Sequence, residues 1–312
     1  HGSENIFHTV GFISGALNEE QHVGIALGMD NLIYDAEQAD YTLLQLNPYY
    51  TLENDNIRLR VGAHVDWQSA NGSGIKAAPD VKLDYTFADT YVAYLHATGG
   101  TRLNDFRQQN EESPYWGVIN QMRTSYTPAD LQVGFKASPL PGLDFHLFGG
   151  YRVTKDEIFH LPGITDTDFP YCYSLLMQEK AKVGYGGIKA AYGYKDIFDF
   201  SVGGTYYGWN VKDEAKVLLY LKPEFVLDAS ARAKVYDEFW VSAAYRYEGR
   251  VKAGELEKAD AINNLSLSAG YEFFNSLNVF VRFNNLLNQD YITEAGYPVQ
   301  GFNAMAGVSF RF

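Results

Sequence analysis

Apolar and polar residues alternate along this chain in segments of about 10 to 14 residues, recurring roughly every twenty and separated by Gly, Asn, Asp and Pro. The segment Ile57 to Gln68 shows the pattern clearly. Ile57, Leu59, Val61, Ala63, Val65 and Trp67 fall on one side, and Arg58, Arg60, Gly62, His64, Asp66 and Gln68 on the other. The same division recurs elsewhere. Val81, Leu83, Tyr85 and Phe87 oppose Lys82, Asp84 and Thr86; Leu143, Phe145, Leu147, Tyr151 and Val153 oppose Asp144, His146 and Arg152. Further on, Phe198, Phe200, Val202 and Tyr206 oppose Asp199, Ser201 and Thr205. Leu219, Leu221, Phe225 and Leu227 oppose Lys222, Glu224 and Asp228, and Phe239, Val241, Ala243 and Tyr245 oppose Ser242 and Arg246. Leu277, Val279, Val281 and Phe283 oppose Asn278, Arg282 and Asn284. So many titratable groups would be costly in a dry core but are cheap beside water. Strands with acyl chains on one side and a wet lumen on the other have this sequence form. Ordinary soluble strands run only about five or six residues.

Connections alternate in length. Short ones fall at 18–20, 53–56, 88–90, 139–142, 195–197, 236–238 and 275–277; long ones are expected near 68–79, 97–127, 155–178, 248–259 and 288–299. Two others, 34–40 and 209–216, are intermediate. Short turns on one rim and long loops on the other characterise outer-membrane barrels, with the long loops outside. The fold class expected is all-β: a transmembrane antiparallel up-and-down β-barrel. A direct count gives about fifteen strands, with the first starting on the outer side; bacterial barrels have even numbers, so about 16 are expected, with 14 next. The final segment, Gly301 to Phe312, places Phe302, Ala304, Ala306, Val308, Phe310 and Phe312 on one face. Its Gly307, Phe310 and Phe312 resemble the terminal-strand signal by which outer-membrane barrels are recognised by the barrel-assembly machinery.

Composition narrows the classes. Aromatic residues make up 15% of the 312, with 24 Tyr, while hydrophobic residues are only 46%. A barrel hides in such bulk figures because only every second residue meets lipid. No apolar run approaches the ~18 residues of a membrane-spanning helix. The net charge of −13, without a cluster of Lys and Arg, argues against nucleic acid and against a polybasic membrane anchor. Cys172 is the single cysteine, which excludes an intrachain disulfide and a thiolate zinc site. His1-Gly2-Ser3 reads as a cloning remnant, leaving residues 4–312 as the barrel domain.

Two stretches resemble the TonB-dependent receptor family. One is Val92-Ala93-Tyr94-Leu95-His96-Ala97-Thr98-Gly99-Gly100-Thr101-Arg102-Leu103, with Leu131-Gln132-Val133-Gly134-Phe135-Lys136 after a loop. The other is Val281-Arg282-Phe283-Asn284-Asn285-Leu286-Leu287-Asn288-Gln289-Asp290-Tyr291, followed by Gly296-Tyr297-Pro298 and the terminal strand. The resemblance covers about Asp80 to Phe312 and implies an outer-membrane location in a diderm bacterium and solute uptake. It departs from the family in that nothing before Asp80 resembles a plug domain or a TonB-binding box. The chain therefore reads as the C-terminal barrel part of such a receptor or as a shorter, plugless relative, and TonB is a partner only if a plug lies upstream.

The candidate lumen set is Arg58, Arg60, His64, Asp66, Lys82, Asp84, Asp144, His146, Arg152, Asp199, Glu224, Asp228, Arg232, Arg246, Glu248, Glu272 and Arg282. These residues either select a solute or pair in opposite-sign ladders that merely solvate the interior. Loop residues Arg102, Phe106, Arg107, Tyr115, Trp116, Phe169, Tyr171 and Tyr173 combine aromatic faces with charges and suit ligand capture; folding over the mouth is the other use of such loops. No His spacing fixes a metal and no Gly-x-Ser-x-Gly is present, so neither a metal, a cofactor nor an enzyme is expected. The function expected is solute passage or uptake, porin-like or receptor-like. The alternative is a structural barrel in a larger outer-membrane complex, with a surface lipoprotein or another barrel as partner.

Overall fold

The computed structural model describes residues 3–35, 38–70, 74–117, 122–164, 172–273, 276–294 and 297–311, with backbone alone at 162–164 and 172–173. The chain begins with β1 (Glu4–Ala16), β2 (Gln21–Tyr34), β3 (Tyr41–Glu53), β4 (Ile57–Gln68), β5 (Gly74–Phe87) and β6 (Tyr91–Arg102). Helix α1 (Phe106–Glu112) and the short β7 (Trp116–Gly117) follow, then β8 (Ser125–Leu140), β9 (Leu143–Ile164), β10 (Cys172–Tyr194) and β11 (Phe198–Asn210). A 3-10 helix (Asp213–Leu219) precedes β12 (Pro223–Lys234), β13 (Phe239–Arg250), β14 (Ile262–Phe273) and β15 (Leu277–Asn284). The chain ends with β16 (Ile292–Glu294), β17 (Tyr297–Pro298) and β18 (Asn303–Phe310).

Fifteen of these strands follow one another as an antiparallel meander from β1 to β15 and then β18; β7 adds a sixteenth by pairing with β10. β16 and β17 form a separate two-stranded ribbon. Strands of 12 to 14 residues at about 3.3 Å each reach roughly 40 to 46 Å, which spans a hydrocarbon layer of about 30 Å when tilted by about 45°. β9 and β10, with 22 and 23 residues, rise beyond the rest.

The rims divide as expected. Turns at 17–20, 54–56, 88–90, 141–142, 195–197 and 235–238 share one rim, and the described parts of the longer connections lie at the other. Gly142 sits at φ +79° in the β8–β9 turn, where a Cβ would lie 2.0 Å from the Gly193 carbonyl oxygen; only glycine fits there. Four expected loops are shorter than their sequence suggests, the one at 97–127 because β6 runs to Arg102 and β8 begins at Ser125. Residues 155–164 and 172–178 extend β9 and β10 instead of looping, because Glu157 to Ile164 pair with Cys172 to Glu179 and satisfy each other's backbone groups. Residues 74–79 likewise belong to β5, paired against 63–68 of β4. β13 continues to Arg250. Leu219, expected in a strand, instead closes the 3-10 helix and is buried.

The sheet is not closed. Among the described residues β1 pairs only with β2, and β18 only with β15. Both end strands run from the loop rim to the turn rim, as an odd number of antiparallel strands requires. The sheet has the sixteen strands expected from the sequence, but among the described residues β1 and β18 run the same way and do not close it into a ring.

Register places every odd-even alternation on a common pair of faces. One carries Leu27, Leu46, Val61, Leu95, Val133, Leu147 and Ile188, all exposed large apolar residues. Toward the turn rim this belt gives way to aromatic rings: Phe87 stacks with Tyr85, Tyr91 and Phe135 at centroid distances of 5.9, 5.5 and 6.1 Å. An aliphatic belt edged by aromatics matches hydrocarbon edged by headgroups. The opposite face buries polar groups, among them Asp30, Asn47, Asp66, Gln68 and Asp80. This is the reverse of a water-soluble fold.

Candidate functional site

Following the ladder from β3 to β18 brings sixteen of the seventeen expected lumen residues onto this one polar face, while Glu224 falls at the bulge between Pro223 and Phe225 and has no ladder partner. They are spread over it as separate networks. On β3 to β5, Arg60 Nε donates to Asp80 Oδ2 (2.6 Å) and its Nη2 to Asn47 Oδ1 (2.6 Å), with the guanidinium 4.0 Å above the Tyr49 ring. Asn47 also donates to Asp80 (3.2 Å) and lies 3.4 Å from His64 Nδ1. Nearer the loop rim, buried Asp66 accepts from the Thr101 amide (2.7 Å) with its Oδ2, while its Oδ1 has no partner among the described residues. Toward the turn rim Arg58 pairs with Glu53 (2.9 Å), and His96 with Asp84 (3.0 Å).

On β12 and β13 a second ladder runs upward. Arg246 bridges Asp228 (3.0 Å) and Glu248 (2.7 Å), and Glu248 accepts from Arg250 (2.6 Å). Glu224 accepts from Lys258 (3.2 Å), Asp144 from the Ser138 hydroxyl, and Tyr94 Oη lies 2.8 Å from His146 Nε2. Arg232 sits 4.7 Å over Trp240 and stands opposite Asp199. Arg152 is opposite Asp130, Glu272 opposite Asn278, and Arg282 between Ser268 and Met305; Lys82 lies between Arg60 and His96. Among the described residues these four, with Asp199 and Arg232, make no ion pair. Sequence reasoning missed Asn47, Asp80, Arg250, Lys136 and Lys189. Asp80 was accessible to it, since it alternates with Lys82 and Asp84; Asn47 was not, because its role depends on a cross-strand contact.

Rings on this face lie flat. Tyr94 stands directly opposite Gly134, Tyr185 opposite Gly150, Trp240 opposite Gly270 and Phe280 opposite Gly307. A Cβ on any of these glycines would come within 2.6 Å of the ring facing it. Glycine there lets the ring cover the backbone instead of projecting into the interior, the rescue of a strand glycine by an aromatic neighbour.

Long connections fold back over the loop-rim end of the polar face. The Asp105 carboxylate caps α1 by accepting from the Gln108 amide (2.6 Å). Phe106 is thereby driven into a cluster with Leu32, Tyr34, Tyr41, Met122, Ile158 and Leu176, with Trp116 against it. Phe106, expected to meet a ligand, is buried packing. Trp116 is partly buried and its Nε1 donates to Asn110 (2.6 Å). Arg102 and Arg107 are exposed, Arg107 pairing with Glu111; exposed Tyr115 stacks on Tyr297 at 3.7 Å. Phe169 and Tyr171 lie outside the described residues, as does the side chain of Tyr173. Gly307 and Phe310 lie in β18 opposite Phe280 and Leu277; Phe312 is outside the described residues.

A second cluster, Phe159, Ala181, Ala215, Leu218 and Leu219, carries the 3-10 helix down onto β9 and β10. Between the two clusters, His160 Nε2 lies 3.3 Å from Glu112 Oε2, and its Nδ1 lies 2.8 Å from Ser174 Oγ. The hydrogen bond from His160 is the main reason that the Glu112 carboxyl is held down to about 2. Lys222 Nζ sits over Phe159 (5.0 Å) and Trp209 (5.5 Å), and burial pushes its ammonium below the usual lysine range. Glu112, His160, Lys222, Glu294 and Thr293 line a cavity of about 260 Å³ there. Among the described residues no three His, Cys, Asp or Glu side chains converge on a metal-sized site.

Neither a protein-family model nor a curated protein matches the chain. Solved structures do. The siderophore receptor PirA from Acinetobacter baumannii superposes with a TM-score of 0.72 at 11% identity, covering 99% of this chain and 55% of that one. The copper transporter OprC gives 0.68 at 13% identity, with 99% and 57% covered. The FrpB iron transporter from Neisseria meningitidis gives 0.66 at 13% identity, with 96% and 54% covered. These structural neighbours are TonB-dependent receptors of the outer membrane, and the shared part is their barrel. The chain thus shares the fold of their barrel walls and spans a little over half the length of these neighbours.

Proposed function

We propose that this chain forms the wall of an outer-membrane barrel for solute uptake. Its polar face lines an aqueous path, and its folded loops receive the solute. The carrying observation is the inverted surface: charged ladders such as Asp228–Arg246–Glu248 stand on the face opposite an exposed belt of Leu, Val and Ile. The likeness to barrels named for copper, iron and siderophores supports uptake as the direction of transport. No covalent chemistry is involved. In this reading β18, with Gly307 and Phe310, is the strand offered to the barrel-assembly machinery, and coupling to TonB enters only through a plug outside these residues.

Planar-bilayer conductance of the full protein is the test. Solute-dependent conductance supports passage. A second reading is a structural barrel within a larger outer-membrane complex, with another outer-membrane protein or a surface lipoprotein as partner. A non-conducting barrel that co-purifies with such a partner would replace uptake by that reading.

A further inference from the structure

We infer that the polar wall carries a binding site for an anionic oxygen group, carboxylate or phosphate, centred on Lys136, His146 and Lys189. This deepens the uptake reading and rests on it for the direction from which a solute arrives. Lys136 is directly opposite His146 in the β8–β9 ladder, and His146 is directly opposite Lys189 in the β9–β10 ladder. Three basic side chains thus stand in one row across three adjacent strands, on the same face. The two lysine ammonium charges, two strands apart on one face, repel each other when nothing neutralises them. Elsewhere this face avoids the problem by pairing, as in Arg60–Asp80, His96–Asp84 and Arg246–Asp228.

Here no carboxylate forms an ion pair with Lys136 or Lys189 among the described residues. Both ammonium groups rest instead on aromatic rings: Lys136 Nζ is 5.5 Å from the Tyr94 ring and Lys189 Nζ is 5.6 Å from the Phe148 ring. The nearby acids are engaged. Asp144 accepts from Ser138, Asp84 is taken by His96, Asp228 by Arg246, and Asp130 accepts from Tyr185 (3.0 Å). In a chain of net charge −13, this row differs from Arg60–Lys82–His96, the other row of bases on the wall, in which both flanking residues have carboxylate partners. The row lines a groove of about 770 Å³ together with Ser201, Thr205, Tyr207, Arg246 and the carboxylates of Asp144 and Asp228. That volume suits a small organic anion. The hydroxyls can donate to its remaining oxygens, and the lysines supply point charges of the kind that hold phosphate and carboxylate.

Calorimetric titration of the full protein in non-ionic detergent with citrate, and separately with inorganic phosphate, tests this. Saturable binding of at least one, weakening as salt rises, is expected. K136Q/K189Q should weaken it about tenfold or more, while K212Q/K216Q, which removes two loop lysines, should leave it intact. Binding of citrate alone identifies a carboxylate site, and binding of both a general anion site. On the unsubstituted protein, saturating citrate or phosphate should slow carbethoxylation of His146 relative to His22. Absence of saturable binding, equal loss in both double variants, survival of binding in K136Q/K189Q, or equal histidine reactivity would each overturn the site. Binding is read without a membrane gradient, so a conducting protein that binds no anion sinks this inference alone. An anion-binding protein that does not conduct sinks only the uptake reading.

Discussion

Replacing Arg250 by methionine should untie the folded loops from the wall. The Arg250 side chain is 3% exposed and its partner Glu248 is 10% exposed. Its Nη1 donates to Glu248 Oε1 (2.6 Å) and to the Leu221 carbonyl (2.6 Å), and its Nη2 to the Ile292 carbonyl (2.9 Å). One side chain therefore joins β13 to the connection before β12 and to the ribbon strand β16. Removing one partner of a buried pair costs about 3 to 5 kcal/mol, because a charge is left uncompensated. Glu248 keeps Arg246 at 2.7 Å, which moves the expectation to the lower end, about 3 kcal/mol. Methionine preserves most of the stem volume, so packing loss contributes little. Urea unfolding followed by tryptophan fluorescence in detergent measures the change. A cycle with E248Q separates the pair, and E248Q/R250M should lose less than the sum of the single variants by about 1 kcal/mol. Trypsin should cut faster at Lys216, Lys222 and Lys252 in R250M. A loss under about 0.5 kcal/mol with unchanged cleavage would refute the claim that this residue holds the loops down.

Two more expectations follow from the same geometry. Because the Glu112 carboxyl is depressed to about 2 from an ordinary 4.5, its tie to His160 contributes fully above about pH 4.5. That contribution is lost as pH falls toward about 2. Hydrogen exchange across residues 103–117 should quicken over that window, and E112Q should abolish the dependence; an identical pH profile in E112Q would count against the tie. On the apolar belt, Leu147→Arg should destabilise the protein in lipid vesicles by about 2 to 4 kcal/mol, against less than about 1 for Ser201→Arg on the polar face. Equal costs at the two positions would contradict the assignment of lipid to the Leu147 side.

Much of the architecture was legible in local pattern. Period-two alternation in Ile57–Gln68 or Leu277–Asn284 is a property of the strand itself, so the two faces and the alternation of rims could be read without knowing any partner. The strand number of about sixteen could be read as well, whereas closure of the sheet could not. Closure depends on what meets the outer edges of β1 and β18, and no local pattern encodes that. The same limit governs the site. Phe106 reads as an exposed loop aromatic until the Asp105 cap and the Tyr34–Tyr41 cluster draw it inward. Residues 155–164 and 172–178 read as loop until β9 and β10 satisfy each other's backbone. Arg60 meets Asp80, and Lys136, His146 and Lys189 form a row, only through ladder register, which joins positions far apart in the chain. Alternation determined which side of the wall each residue faces; long-range pairing alone decided its neighbours, and those neighbours determine whether a charge is neutralised or left free to hold a solute.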